Sequence, residues 1–399
     1  MEYINTNSKK IRIKFILIDN NNWWNFFTKH KSRLREGIIT NIVKILSCGT
    51  KFLGFKEYKC FNCSYIKKVC FSCKSKFCTS CGKKATDIWI KKHYDLLPKT
   101  IWQHITFTLP SQIWPLFWYN RKLFNIVPKF AANIIKQLAA QKGAIPGIFL
   151  AIHSFGRDLK RNAHFHLSTT AGGISFDHKR WIKLYFLAES IKKMWKYQII
   201  TLLRELFKNG ELILPNNLHN KPYTHFNRWL NQLYQKKWVV HLNKQSENHK
   251  LNIDYIAKYL KRPPIAETRI LSYDGNNVTF KYFDHHSKTY QKKTFSVLDF
   301  IGRLVAHIHD KYFKSVRYFG WLSNKTRNTL LPIVYKLLKN IPKLQTFLPS
   351  WQKMIQNEFG VNPLICPICK KHLFLENHTF PKKISYLIQQ HQFIATTNC

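Results

Sequence analysis

HFHLSTTAG, residues 164–172, reads as a β-strand, because it combines period-two alternation with β-branched and aromatic residues. The same signs mark HITFTLP (104–110), GIFLAIHSF (147–155) and WVVHLNK (238–244) as strands. Three short runs, 267–273, 276–283 and 288–297, look like an antiparallel meander. Helical periodicity lies between and after these segments. LNIDYIAKYLKR (251–262) is helical up to the stop imposed by Pro263-Pro264, and LDFIGRLVAHIHDKYF (298–313) is an amphipathic helix. Strands and helices in this order predict an α+β domain, an antiparallel sheet with helices packed on it.

Within the opening strand, His164 and His166 flank Phe165, so both imidazoles fall on one face of the sheet. Two neighbouring imidazoles can hold a divalent ion, or they can simply decorate a half-buried strand. The small residues that follow, Ser168 to Gly173, are expected to leave room beside them for a bulky substrate.

The chain has 399 residues, enough for two or three domains. Lys and Arg number 65 against 20 Asp and Glu, a formal net charge of +45, yet 45% of residues are hydrophobic. That apolar share excludes a disordered basic tail. A surface so positive attracts polyanions through counterion release, which makes nucleic acid the expected partner; biased coding toward Lys, Ile and Asn is the plainer explanation of the charge. No apolar run reaches the ~18 residues of a membrane helix, and MEYINTNSKK lacks a secretory apolar core, so the expected location is cytoplasmic and nucleoid-associated, without membrane partners. Thiols there stay reduced, and the 10 cysteines read as metal ligands before disulfides.

Cysteines also divide the chain. Residues 1–100 form an N-terminal region with a metal-binding module at about 40–95; 101–325 form the central domain; 326–399 are a basic C-terminal region. In the module, Cys60 and Cys63, Cys70 and Cys73, and Cys78 and Cys81 are three CxxC pairs, each able to clamp tetrahedral Zn²⁺. Four ligands per ion make Cys60, Cys63, Cys78 and Cys81 the expected set, leaving Cys70 and Cys73 for a second site with Cys48 at hand. Cys366 and Cys369 form a lone pair with His372 and His378 as possible helpers.

Tyr255 and Tyr259 lie at i and i+4 of the helical stretch, on one face, with Lys258, Lys261 and Arg262 beside them. Such a pair commonly packs in a core. A phenol can also attack phosphorus where cations neutralise the phosphoryl oxygens.

Taken together, these motifs resemble the transposases of the IS91 family, members of the HUH endonuclease superfamily. SCKSKFCTSCGKKATDIW (72–89) is similar to the family's zinc-binding SCxxRHCPxC region, with Phe77 in place of its His and Ser80 in place of its Pro. IHSFGRDLKRNAHFHLSTTAGG (152–173) is similar to HTFGxDLxxHPHxHxxxxGG, departing from it at Arg161 to Ala163. YIAKYLKRPPIAETRI (255–270) resembles the two-tyrosine motif, and FIGRLVAHIHDKYFKSVRYFGWLSNKTR (300–327) the block that ends the catalytic domain, with His307 and Arg317 at matching places. The resemblance implies an antiparallel HUH endonuclease core and an N-terminal zinc-binding domain. It further implies single-stranded DNA nicking and rejoining at element ends through a 5′-phosphotyrosine, with Tyr255 and Tyr259 as nucleophiles. His164 and His166 would then hold Mg²⁺ or Mn²⁺ with a third ligand, His153 or Asp158, of which His153 is favoured. Lys258, Lys261, Arg262 and Arg269 would meet DNA phosphates, and Zn²⁺ would be structural. A rolling-circle replication initiator or relaxase, sharing the same chemistry, and a non-catalytic zinc-dependent DNA-binding protein are the alternatives.

Overall fold

A computed structural model of the chain describes residues 11–215, 218–246, 263–284, 287–342 and 350–390. The helix expected at 251–262, with Tyr255, Lys258, Tyr259, Lys261 and Arg262, lies outside the described residues. Three N-terminal helices, α1 (Ile13–Ile18), α2 (Asn22–His30) and α3 (Glu36–Ser47), lead to a hairpin of β1 (Phe55–Lys59) and β2 (Ile66–Cys70) and then to α4 (Thr79–Leu96). Next come β3 (Trp102–Phe107), α5 (Trp114–Tyr119), α6 (Leu123–Ala140), β4 (Ala144–Phe155), β5 (Arg161–Ser175), β6 (Trp181–Lys183), α7 (Ala188–Lys208), α8 (Tyr223–Gln235) and β7 (Val240–Leu242). The meander is β8 (Ile270–Tyr273), β9 (Asn277–Asp284) and β10 (Thr289–Ser296). After it follow α9 (Val297–Ala306), β11 (Val316–Gly320), α10 (Arg327–Leu337), α11 (Trp351–Phe359), β12 (Phe374–Thr379) and α12 (Ile384–Gln389).

The fold is α+β, and its centre is an antiparallel sheet in the order β11-β4-β5-β3-β7, with β6 added to β5. Alternation sorts its side chains. Ile105 and Phe107 of β3, Ile148, Leu150 and Ile152 of β4, and Phe165 and Leu167 of β5 face one side, where the apolar stripes of α6, α7 and α8 cover them. Burying each such side chain contributes ~2 kcal/mol, enough to hold the strand register. On the opposite face, Phe149, Ala151 and Trp102 pack against Trp89 of α4 and Trp321. Farther along that face, toward the β4–β5 loop, stand His153, His164 and His166.

A second core joins segments remote in sequence. Ile16, Ile42 and Val43 of the N-terminal helices pack with Val278, Phe280, Phe300 and Leu304 of the meander and α9. Glu267, almost fully buried, accepts hydrogen bonds from Ile13 N (3.1 Å) and from Thr79 Oγ1 (2.7 Å). One carboxylate thus ties the first turn of α4 to the chain just beyond the two prolines.

Two expectations are corrected. The small residues after His166 leave no room for substrate: Ser168, Thr169 and Thr170 are buried in the sheet. A Cβ on Gly172 would lie 2.3 Å from the Trp181 indole, and one on Gly173 would lie 2.7 Å from the Ile145 carbonyl oxygen. Smallness there admits a tryptophan and a neighbouring strand. The helix read over 298–313 ends at Ala306, because the His307 ring turns inward. Its Nδ1 lies 3.3 Å from Ser154 Oγ and its Nε2 3.3 Å from the Leu159 carbonyl, so this imidazole buttresses the β4–β5 loop.

Burial lowers the His307 pKa to about 4, with a measurable consequence. In the unfolded chain this histidine takes up a proton near its ordinary value of about 6.5, so the neutral buried form stabilises the fold above that pH. The contribution is lost as pH falls from about 6.5 toward 4, at ~1.4 kcal/mol per pH unit. Thermal unfolding at pH 7 and pH 5 should show a stability loss about 2 kcal/mol smaller in His307→Gln than in the parent; equal losses would show that His307 does not set the acid sensitivity.

Candidate functional site

Register places the three histidines together. On the β4–β5 ladder His153 stands opposite His164, and Ala151 opposite His166, so His166 lies two residues along the same face. Ring centroids are 5.0 Å apart for His153 and His164, 4.8 Å for His153 and His166, and 5.0 Å for His164 and His166. Each ring offers one nitrogen to a group whose members all lie within 4.8 Å of one another. Asp158 is not in this group; it pairs with Lys160 at 3.1 Å and Lys293 at 3.4 Å.

The rings are oriented from behind. His164 Nδ1 donates to the Asn162 carbonyl at 3.0 Å, which leaves the lone pair on Nε2. His166 Nδ1 meets His104 Nε2 at 3.1 Å, and the His104 Nδ1 meets Ser168 Oγ at 3.4 Å. Thr106 Oγ1 touches both rings, 3.3 Å from His104 Nε2 and 3.4 Å from His166 Nδ1. Burial keeps these imidazoles neutral: the pKa of His164 falls to about 4, that of His104 to about 3, and that of His166 well below its ordinary value. Neutral nitrogens are what metal coordination needs.

The histidines line a cleft of about 1780 Å³. Lys83 and Lys84 of α4 line it, as do Arg157 and Lys160 of the β4–β5 loop and Arg269 and Lys281 by the meander. Aromatic rings from Phe155, Tyr282, Phe283, Tyr290 and Trp351 share the lining. Pro263 and Pro264, directly after the segment carrying the tyrosines, are part of it too. Arg269 donates to the carbonyls of Lys281 (2.8 Å) and Arg157, stitching the meander to the β4–β5 loop while lining the cleft. Arg317 lies away from this cleft's lining and holds Asn125 through its backbone and side-chain oxygens, both at 2.6 Å.

Eight cysteines gather in two clusters, and their partition differs from the expected one. Cys48, Cys73, Cys78 and Cys81 form the first, with Sγ separations of 3.7 Å for Cys48–Cys81, 3.6 Å for Cys73–Cys81 and 3.7 Å for Cys78–Cys48. Ligands ~2.3 Å from a tetrahedral zinc stand ~3.8 Å from each other, so this set fits the ion. Hydrogen bonds from Cys73 and Cys78 lower the Cys48 thiol to about 7; those from Cys48 and Cys73 lower Cys81, while Cys73 and Cys78 are pushed up. Four sulfurs this close share protons unless a cation neutralises them. Cys60 and Cys63 join Cys366 and Cys369 instead of Cys78 and Cys81. Tertiary packing overrides proximity in sequence, since β1 and β2 carry their knuckle away from the start of α4. Cys70 lies outside both clusters.

From the sequence His104 reads as a packing or DNA-contact residue; the structure sets it, with Thr106, on a strand beside β5 and on the face of His166. His241 of that face has no sequence signal; paired in register with Thr106, it lines the cleft from the edge strand β7. Among the described residues no helix is long and apolar enough to cross a membrane.

A family model described as "Putative transposase" matches residues 147–329, and one described as "Transposase zinc-binding domain" matches residues 19–109. The chain is 36% identical over 343 residues to the transposase for insertion sequence element IS801 of Pseudomonas savastanoi pv. phaseolicola, spanning 84% of this chain and 82% of that protein. It is 27% identical over 294 residues to "Putative transposase y4qJ" of Sinorhizobium fredii (strain NBRC 101917 / NGR234), spanning 71% of this chain and 74% of that protein. No solved structure matches.

Proposed function

The chain belongs to the IS91 family of transposases, with an N-terminal zinc-binding domain, and from that premise we propose that it nicks and rejoins single-stranded DNA at element ends through a 5′-phosphotyrosine intermediate. The observation that carries this reading is the meeting of His153, His164 and His166 in one basic, aromatic cleft whose wall includes Pro263.

Chain connectivity bears on the nucleophiles. In the sequence Tyr259 precedes cleft-lining Pro263 by four residues, and Tyr255 precedes it by eight. At the other end of this segment, Ser246 pairs with Trp102 beside the β3 edge. Both anchors favour delivery of a phenol into the cleft.

The donor set fits a divalent cation: three imidazoles, one side open to the cleft. Bound there, Mg²⁺ or Mn²⁺ would polarise the scissile phosphate and offset charge on its non-bridging oxygens. The protein's own groups do the rest. A tyrosine hydroxyl gives up its proton as its oxygen attacks phosphorus in line, the P–O3′ bond breaks, and the freed 3′-oxygen takes up a proton to leave as a hydroxyl, with no net proton released. One phosphodiester becomes one phosphotyrosine, so reversal rejoins strands without a nucleotide. The second tyrosine permits a second cleavage while the first adduct persists. Lys258, Lys261, Arg262 and Arg269 would neutralise phosphates nearby, and cleft aromatics such as Tyr290 and Phe283 would stack unpaired bases.

The test is a denaturing gel of the full chain with end-labelled single-stranded DNA bearing the element terminus, plus Mn²⁺. A covalent adduct is expected, and its disappearance in Tyr255→Phe/Tyr259→Phe. An adduct that survives the double substitution refutes the nucleophile assignment; zinc-dependent binding with no adduct in the parent favours the non-catalytic reading.

A further inference from the structure

Cys60 to Cys63 and Cys366 to Cys369 fold into two turns of the same form. In the first, Cys60 N donates to the Tyr65 carbonyl at 2.9 Å, Ser64 N donates to the Cys60 carbonyl at 2.8 Å, and Ser64 adopts a φ of 59°. In the second, Cys366 N donates to the Lys371 carbonyl at 2.8 Å, Lys370 N donates to the Cys366 carbonyl at 3.1 Å, and Lys370 also adopts a φ of 59°. Each turn aims two thiols the same way, and the turns face each other. Cys60 Sγ is 3.3 Å from Cys369 Sγ, and Cys63 Sγ is 3.5 Å from Cys366 Sγ, with all four sulfurs within 4.8 Å. Cys60 and Cys366 are fully buried.

We propose that Cys60, Cys63, Cys366 and Cys369 bind a second structural zinc that clips the C-terminal region onto the N-terminal hairpin. The second turn lies outside both family matches, which end at residues 109 and 329. At the cysteines themselves the local core is small, although farther along α12 docks Leu387 in the second core and Lys67 Nζ donates to the Pro363 carbonyl at 2.8 Å. The buried apolar content of that local core is Leu373 beside the cysteines, with Tyr58 and Tyr65 partly buried around them. The β1–β12 ladder and the Lys59–Glu376 pair at 2.9 Å are largely surface features, of small worth without a core beneath them. A metal that ties two chain segments supplements so small a local core.

The clip has a reach beyond itself. Tyr58, on β1, stacks on Trp351 with centroids 6.5 Å apart, and Gln352 Nε2 donates to Asn362 Oδ1 at 3.0 Å. Trp351, Met354 and Phe359 of α11 line the histidine cleft, so the zinc fixes one wall of it. That this wall meets DNA rests on the function proposed above; the zinc and the clip do not.

Elemental analysis of the full chain, purified without chelator, should find two zinc ions per chain, and Cys366→Ser/Cys369→Ser should retain one. In that variant, amide exchange over 374–379 should rise roughly a hundredfold, while the β4–β5 ladder keeps its protection. Single-stranded DNA affinity is read separately; unchanged affinity would refute the cleft-wall role alone. Should the variant fail to fold, cobalt titration of the metal-free parent decides: two equivalents with thiolate charge-transfer absorption are expected. One equivalent in the parent, or a disulfide among these four cysteines beside a single zinc, overturns the proposal.

Discussion

Replacing His164 and His166 together by alanine should reduce strand cleavage by about a thousandfold or more, with little loss of DNA binding. The size follows from the proposed role: a cation stabilising charge on a transferring phosphoryl group is worth several kcal/mol, and ~4 kcal/mol is a factor of about a thousand. Affinity should survive, because on the proposed reading DNA is held mostly by basic groups along the cleft, Lys83, Lys84, Arg157 and Lys281 among them. His104→Asn should cost less, about 10- to 100-fold, since His104 acts on the site through His166 rather than on the ion. Calorimetric Mn²⁺ titration should track the same order. Cleavage within tenfold of the parent in the double alanine variant would remove the histidine face from the mechanism.

The second large effect concerns the first cysteine cluster. Cys73→Ser, or chelation of the parent, should lower the unfolding midpoint by about 10 °C or more, as structural zinc binding is itself folding free energy. The geometry explains the magnitude. Cys48 follows the last residue of α3, Cys78 caps α4 and Cys81 lies in its first turn, while Cys73, Cys78 and Cys81 are buried beside Ile38 and Ile42. Without the ion, like-charged thiolates or buried unsatisfied thiols would face each other in that core. Lys83 and Lys84 would lose their placement on the cleft, so DNA affinity should fall as well. Scanning calorimetry with and without chelator checks this; a midpoint indifferent to chelation, together with no recovered zinc, would discard the structural role.

Much of the site could be read from the chain because it rests on local rules. Period-two alternation alone sends His164 and His166 to one side of a strand, and a CxxC spacing alone makes a turn that presents two thiols. The meander was legible for the same reason, its three runs separated by turn residues. Where the reading went astray, partners distant in sequence decided. The small residues after His166 looked like space for substrate, yet Trp181 and the Ile145 carbonyl fill it. α9 was read too long because nothing local announces that His307 must brace Ser154 and Leu159.

By itself, then, the chain determined an α+β class, a face bearing two imidazoles, metal-binding turns and an excess of positive charge, since each depends on spacing over a few residues or on composition. Only the folded molecule decided which thiols cluster together, that His153, already favoured over Asp158, stands in the histidine group, and that His104 stands behind it. Those choices belong to strand pairing and core packing between segments up to about three hundred residues apart, where the free energy of burial selects partners that no short-range pattern encodes.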